Sequence, residues 1–122
     1  MINFELERLY VLFEFNYLDA FSTWLRLFND AVKNWELEKA RQLIKLAKSF
    51  EHPTEKQGVI LFSEGTFIQK IGRWELAHEV LLKALAIKQT QGDKKGEVVV
   101  LNTLANLSRH SEKFEKDNAQ LY

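Results

Sequence analysis

The sequence from Gly72 to Ile87, GRWELAHEVLLKALAI, has the pattern of an amphipathic helix that follows a tight turn. Gly72 comes after an apolar segment and can adopt a positive φ, which suits the residue that ends a helix. The apolar residues then recur three or four positions apart, as on one helix face: Trp74, Ala77, Val80, Leu81, Ala84, Leu85 and Ile87. Because Ala77 and Ala84 are small and share that face, they would let a neighbouring helix approach closely.

The segment before this helix, from Gly58 to Ile71, predicts its partner. Leu61, Gly65 and Ile68 share one face at helical spacing. A glycine inside a helix costs roughly 1 kcal/mol relative to alanine, so Gly65 indicates a close contact with another helix. The two segments are therefore predicted to form an antiparallel helical hairpin.

This hairpin resembles the tetratricopeptide repeat family. The family has a bulky residue early in its first helix, a small residue one turn later and two small residues in its second helix. Leu61, Gly65, Ala77 and Ala84 stand in those places. A later unit begins at VVVLNTLANL, where Ala105 follows Gly65 by 40 residues, whereas the usual repeat has about 34. The longer interval resembles the repeats of kinesin light chains and of the sensor arrays of bacterial signalling ATPases.

An earlier unit carries the same pattern, in Trp24, Phe28, Ala40, Ile44 and Ala47. It departs from the family at Phe28, where a small residue is preferred. The resemblance predicts a single all-α domain of stacked antiparallel helical hairpins, a tetratricopeptide-like α-solenoid. Its predicted parts are an apolar N-terminal helix over 1–16, repeats over 19–52 and 54–92, and a third repeat or cap over 94–122.

Local signals place the first helix boundaries. Asn3 and Asp19 are candidate N-caps of the first two helices. The break between these helices, at residues 16–18, is weak, so one long bent helix is an alternative. Thr54 and Gln57 form a capping-box pattern at the start of a later helix.

The C-terminal part is predicted to contain two helices, Lys95–His110 and Lys113–Tyr122. The last of these has few apolar residues, and Asp117 stands where the earlier units have alanine. Terminal units of repeat arrays are often atypical because one face meets water. We therefore expect a cap, and the alternative is a chain cut from a longer array.

Composition excludes several classes of function. The chain has 122 residues, 17 basic and 17 acidic side chains, and no cysteine. Nucleic-acid binders usually show a basic excess, and disulfide scaffolds need cysteines. The N-terminus is acidic where a secretory signal is basic, and its longest apolar run, LYVLF, is too short to span a bilayer. We expect a cytoplasmic protein that binds neither nucleic acid nor membranes.

No residue pattern predicts catalysis. His52, His78 and His110 are far apart in sequence, and no cysteine accompanies them as a metal ligand. The segment GDKKG at 92–96 lacks the order of a phosphate-binding loop, and no serine lies in a nucleophile elbow. We expect no catalytic residue, no cofactor and no metal, and hence a protein that is not an enzyme.

The family resemblance implies a binding surface for a protein or peptide. In tetratricopeptide proteins the first helices of successive repeats line a concave groove that holds an extended peptide or a partner helix. Here that face would carry Asn29, Lys33, Phe62, Thr66, Gln69, Lys70, Asn102, Asn106, Arg109 and His110. Amide side chains can both donate to and accept from a peptide backbone, and arginine favours carboxylates. The alternative is that these residues form ordinary solvated helix faces.

The first helix is apolar nearly all round. A helix of this kind is either covered on every side or part of an interface. Its candidate oligomer-interface residues are Phe4, Leu9, Leu12 and Phe13. They would support a homodimer, unless the helix folds over the first hairpin as a cap.

Three functions are compatible with these patterns. The first is a non-enzymatic protein–protein interaction module, alone or within a larger signalling or regulatory protein. The alternative is a self-assembling structural unit that uses the apolar N-terminal helix. An enzyme is the third, and it has no candidate catalytic set.

Overall fold

The computed structural model describes residues 4–121, with side chains for residues 4–110. This part of the chain is all-helical and contains no strand, which confirms the predicted all-α class. Its helices are α1 (Phe4–Phe15), α2 (Tyr17–Lys33), α3 (Leu37–Lys48), α4 (Thr54–Lys70), α5 (Trp74–Thr90) and α6 (Lys94–Leu121). They form two compact units, residues 1–51 with α1 to α3 and residues 52–122 with α4 to α6.

The turn after α4 has the hydrogen bonds of a Schellman motif. Gly72 has a φ of 84°, which confirms the predicted positive φ. Its amide donates to the Gln69 carbonyl (3.0 Å), and the Arg73 amide donates to the Ile68 carbonyl (3.2 Å). These bonds satisfy carbonyls that the end of a helix leaves without partners. Gly92, with a φ of 69°, repeats the motif after α5.

The turn after α2 uses the same bonds without a glycine. Trp35 has a φ of 58° and donates its amide to the Val32 carbonyl (3.2 Å), while the Glu36 amide donates to the Ala31 carbonyl (2.8 Å). The left-handed conformation costs a residue with a side chain roughly 1–2 kcal/mol. The first unit therefore forms this turn at an energetic cost that Gly72 and Gly92 avoid.

Asn16, not Asp19, is the N-cap of α2. The Asn16 side-chain oxygen accepts from the Asp19 amide at 3.3 Å, and its amide group donates to the Asp19 carboxylate at 2.8 Å. The predicted cap at Asp19 is wrong because Asn16 can cap the helix one turn earlier. Asn3, the predicted cap of α1, lies outside the described residues.

The capping box predicted at Thr54 and Gln57 is also wrong. Pro53 is the N-cap residue of α4, and no side chain caps the helix there. Thr54 is already inside the helix, so its hydroxyl is not in the capping position. The Gln57 side chain donates instead to the His52 carbonyl at 2.8 Å.

The predicted break between two C-terminal helices is absent. The chain continues as one helix, α6, from Lys94 to Leu121. The turns after α4 and α5 each use a glycine with positive φ, but residues 97–121 contain neither glycine nor proline. Without such a residue nothing local stops the helix, so a separate helix over Lys113–Tyr122 does not form.

The core of the first unit is aromatic. Trp24 is fully buried and donates its indole N–H to the Leu43 carbonyl at 2.7 Å. Its ring stacks on Phe28, with centroids 5.3 Å apart. At the other end of this core the Phe13 ring stacks on Phe50 at 5.0 Å. Large rings therefore fill the space between α1, α2 and α3.

The core of the second unit depends on small residues. Ala77 and Ala84 are fully buried, which agrees with their predicted place at a helix contact. A Cβ atom added at Gly65 would lie 2.7 Å from the Leu81 side chain, and one at Gly58 would lie 3.0 Å from Ile87. The close contact predicted at Gly65 is confirmed, because α5 side chains occupy the space beside the glycines of α4.

Candidate interaction surfaces

A shallow cleft in the second unit is lined by several of the predicted groove residues. It is lined by Thr66, Gln69 and Lys70 of α4, Trp74 of α5 and His110 of α6. All but Trp74 come from the face that the repeat pattern predicts to bind a partner. The cleft lies where the C-terminal turn of α4 leads into α5, and α6 supplies its other side.

The cleft residues combine three kinds of chemistry. Lys70 brings a positive charge, although a cation near the end of α4 is also favoured by the helix dipole. The Gln69 side chain can both donate and accept hydrogen bonds. The Thr66 hydroxyl donates to the Ser63 carbonyl at 2.9 Å, so its remaining capacity is as an acceptor. The half-buried Trp74 ring adds an apolar surface.

The other predicted groove residues lie elsewhere. Asn29 and Lys33 are exposed on α2 in the first unit. Asn102, Asn106 and Arg109 are exposed on α6, and Phe62 is half-buried on α4; none of these four lines the cleft.

Trp74 was missed as a cleft residue because its spacing assigns it to the packing face of α5. Trp74 is the first residue of α5, directly after the turn. That position could have indicated that its side chain lines the cleft at this end of the helices.

The predicted oligomer-interface residues divide between two sides of α1. Leu9 and Phe13 are buried inside the first unit, with exposures of 2% and 6%. They therefore cannot form an outer contact surface, and this part of the prediction is corrected. Phe4 and Leu12 lie on the other side.

The outer side of α1 forms a shallow apolar depression, lined by Phe4, Glu7, Arg8, Val11, Leu12 and Phe15. Val11 and Phe15 were not among the predicted interface residues. At about 100° per residue, Phe4, Val11 and Phe15 fall within about 40° of one another on the helix. A helical-wheel projection of α1 would have placed Val11 and Phe15 on the same face as Phe4.

Among the described residues, two groups have pKa values displaced from their ordinary values, and both displacements have structural causes. The Gly96 amide, which donates to the Asp93 carboxylate at 2.9 Å, and the Lys88 ammonium at 3.3 Å lower the pKa of Asp93. Asp93 thereby caps the start of α6. Burial raises the pKa of Tyr17, whose ring lies 5.8 Å from that of Phe13.

The described part of the chain has neither a metal-binding cluster nor a membrane-spanning helix. Among its residues, no group of three or more histidine, aspartate or glutamate side chains is arranged to hold a metal ion. No helix within that part is both long and apolar enough to cross a membrane.

Comparison with known proteins identifies no relative. The chain matches no protein-family model, no curated protein and no solved structure. The resemblance to tetratricopeptide repeats therefore rests on the residue pattern.

Proposed function

We propose that this chain is a non-enzymatic protein–protein interaction module that holds an extended peptide segment in the cleft of its second unit. The observation that carries the proposal is the meeting of Thr66, Gln69, Lys70 and His110 in one cleft. The repeat pattern independently predicts that these residues belong to a binding face. Residues that bind one partner together must lie on one continuous surface, as these four residues do.

The cleft chemistry suits a peptide with an acidic residue next to an apolar one. The Lys70 ammonium can pair with a carboxylate, and charge-assisted hydrogen bonds are roughly twice as strong as neutral ones. Gln69 can bond to the peptide backbone without selecting a side chain. Trp74 offers a large rigid surface for an apolar side chain, and tryptophan is common among residues that dominate binding energy.

The proposal includes a tetratricopeptide-like repeat plan. It is supported by the common hydrogen-bond pattern of the turns at Trp35, Gly72 and Gly92.

Selection from a random peptide library displayed on phage tests the proposal. The immobilised targets are the wild-type protein, Lys70→Glu and the control Lys83→Glu, which makes the same charge change on an exposed position of α5. We expect enriched peptides with an acidic residue beside an apolar one that bind the wild type and Lys83→Glu but not Lys70→Glu. Peptides that bind all three equally, or no enrichment at all, would contradict it.

A further inference from the structure

We infer that the outer face of α1 is a self-association surface on which a second copy of the chain docks, with the two α1 helices parallel. This surface belongs to the first unit and does not depend on the peptide cleft proposed above. Phe4, Val11 and Phe15 form its apolar stripe, which we call the α1 stripe. Their exposures are 69%, 51% and 82%, so this apolar stripe lies in solvent.

The opposite side of α1 fixes the helix in place. Leu9 and Phe13 are buried, Tyr10 contacts Phe50 with ring centroids 4.9 Å apart, and Glu5 pairs with Lys39 at 2.9 Å. The helix therefore covers the first hairpin, as the cap alternative predicts. Covering that hairpin uses only one side of α1, so the α1 stripe faces outward.

Charges beside the α1 stripe favour a second copy as its occupant. Glu7 and Arg8 lie on opposite sides of the stripe, about −60° and +40° from Phe4 around the helix. In a parallel two-fold pair, the left flank of one helix meets the right flank of its partner. Glu7 of each copy then lies beside Arg8 of the other at nearly equal height, so two complementary pairs form at once. This is the arrangement that an isologous interface requires.

An antiparallel pair would be electrostatically worse. In that arrangement like flanks meet, so Glu7 of one helix approaches the flank that carries Glu7 and Glu14 of its partner. Like charges that face each other destabilise a contact. A lipid surface is also disfavoured as the occupant. Helices that lie on anionic membranes are rich in lysine and arginine, whereas Arg8 is the only basic residue in α1.

The interface is small, so the dimer should be weak. One face of a 12-residue helix provides less area than the roughly 1,200–2,000 Å² buried in stable protein complexes. We expect association only at high concentration, where sedimentation equilibrium can measure it up to several hundred micromolar.

Charge reversal tests the pairing. Glu7→Arg alone and Arg8→Glu alone each place like charges opposite one another and should weaken self-association at least tenfold. An equal mixture of the two variants pairs two arginines with two glutamates and should restore the dimer as a heterodimer. Glu38→Arg, at an exposed position of α3, is the control and should leave association unchanged. Circular dichroism checks that all variants remain folded.

Disulfide crosslinking tests the orientation, because the chain has no cysteine of its own. Under mild oxidation, Phe4→Cys and Val11→Cys should each form a disulfide-linked dimer, since both positions lie near their own counterparts in a parallel pair. An antiparallel pair can bring at most one of these positions to its counterpart. A wild-type protein that is monomeric at several hundred micromolar, a mixture that stays monomeric, or crosslinking at only one position would overturn the inference.

Discussion

The two units of this chain fill the space between their helices with side chains of different size. In the first unit, Trp24 and Phe28 fill the interior with stacked rings. In the second unit, Gly65 and Ala77 leave room for α4 and α5 to meet directly, and Leu81 fills the contact beside Gly65. Helical spacing is similar in both. The period of the apolar residues thus determines that helices pair, whereas side-chain size determines what fills the space between them.

The turns differ in the same way. The second unit places glycine where the backbone needs a positive φ, at Gly72 and Gly92, and the first unit places Trp35 there. Phe28 likewise stands where the repeat pattern prefers a small residue. The first unit therefore departs from the pattern at a packing position and at a turn, and its departures are all large aromatic side chains.

The largest expected effect lies in the aromatic core. Trp24→Ala should lower the free energy of unfolding by about 3–5 kcal/mol, because truncating a buried tryptophan leaves a cavity. Trp24→Phe keeps part of the ring but removes the donor to the buried Leu43 carbonyl, which should cost about 1–3 kcal/mol. Urea unfolding measures both. Equal losses for the two variants would mean that the ring volume is not what stabilises this unit.

The second test adds a side chain where the second unit has none. Gly65→Val should cost roughly 2–3 kcal/mol, since extra methyl groups in a filled core typically cost about 1–3 kcal/mol. Ala105→Val is the matched control, because Ala105 stands 40 residues later at an exposed position of α6. There only the helix propensity changes, by about 0.7 kcal/mol or less. Similar losses at both positions would contradict a close α4–α5 contact at Gly65.

Sequence alone predicted the features that depend on small residues. Gly65 and Ala77 were predictable because small residues at helical spacing indicate that two helices approach closely. Gly72 was predictable because a glycine directly after a helix indicates a positive φ. Helix boundaries were less predictable where several residues could serve as the N-cap. Asn16 and Asp19 are both good caps, and only the structure shows which one the helix uses.

The candidate surfaces were predicted in part. The repeat register identified Thr66 and Lys70 as residues of one face, because spacing determines which residues share a helix face. It could not identify Trp74 as a cleft residue, since the opening depends on how α4, α5 and α6 pack. The predicted break in the C-terminal helix followed from analogy with the earlier repeats. Residues 97–121 contain no glycine or proline that would require a turn, and the chain continues as α6.

The turn residues give a smaller effect in both units. Trp35→Gly should be more stable than Trp35→Ala by about 0.5–1 kcal/mol, because both variants remove the indole ring and only glycine adopts the left-handed conformation of this turn without strain. Gly72→Ala should lower the free energy of unfolding by about 1 kcal/mol; no atom lies within 4 Å of the added Cβ, so only backbone strain is tested. Thermal melts compare the variants, and equal melting temperatures for Trp35→Gly and Trp35→Ala would contradict backbone strain at this turn.

The smallest expected effect concerns pH. The Gly96 amide and Lys88 hold the pKa of Asp93 below its ordinary value of 3.8. The unfolded chain therefore binds the proton more readily, so the stabilisation is present above pH 3.8 and is lost as the pH falls through the lower folded pKa. Asp93→Asn keeps an acceptor for the cap but has no charge to titrate. Urea unfolding of both proteins between about pH 5 and pH 2 should show a steeper decline for the wild type, and parallel curves would exclude this role.

The most direct test of the proposed function is calorimetric titration of a library-selected acidic peptide into the wild type, Lys70→Glu and Lys83→Glu. Loss of one charge-assisted hydrogen bond costs about 1.5–3 kcal/mol. We therefore predict at least tenfold weaker binding to Lys70→Glu, unchanged binding to Lys83→Glu, and melting temperatures that stay level in all three. Equal affinity for the wild type and Lys70→Glu would contradict the assignment of this cleft as the binding site.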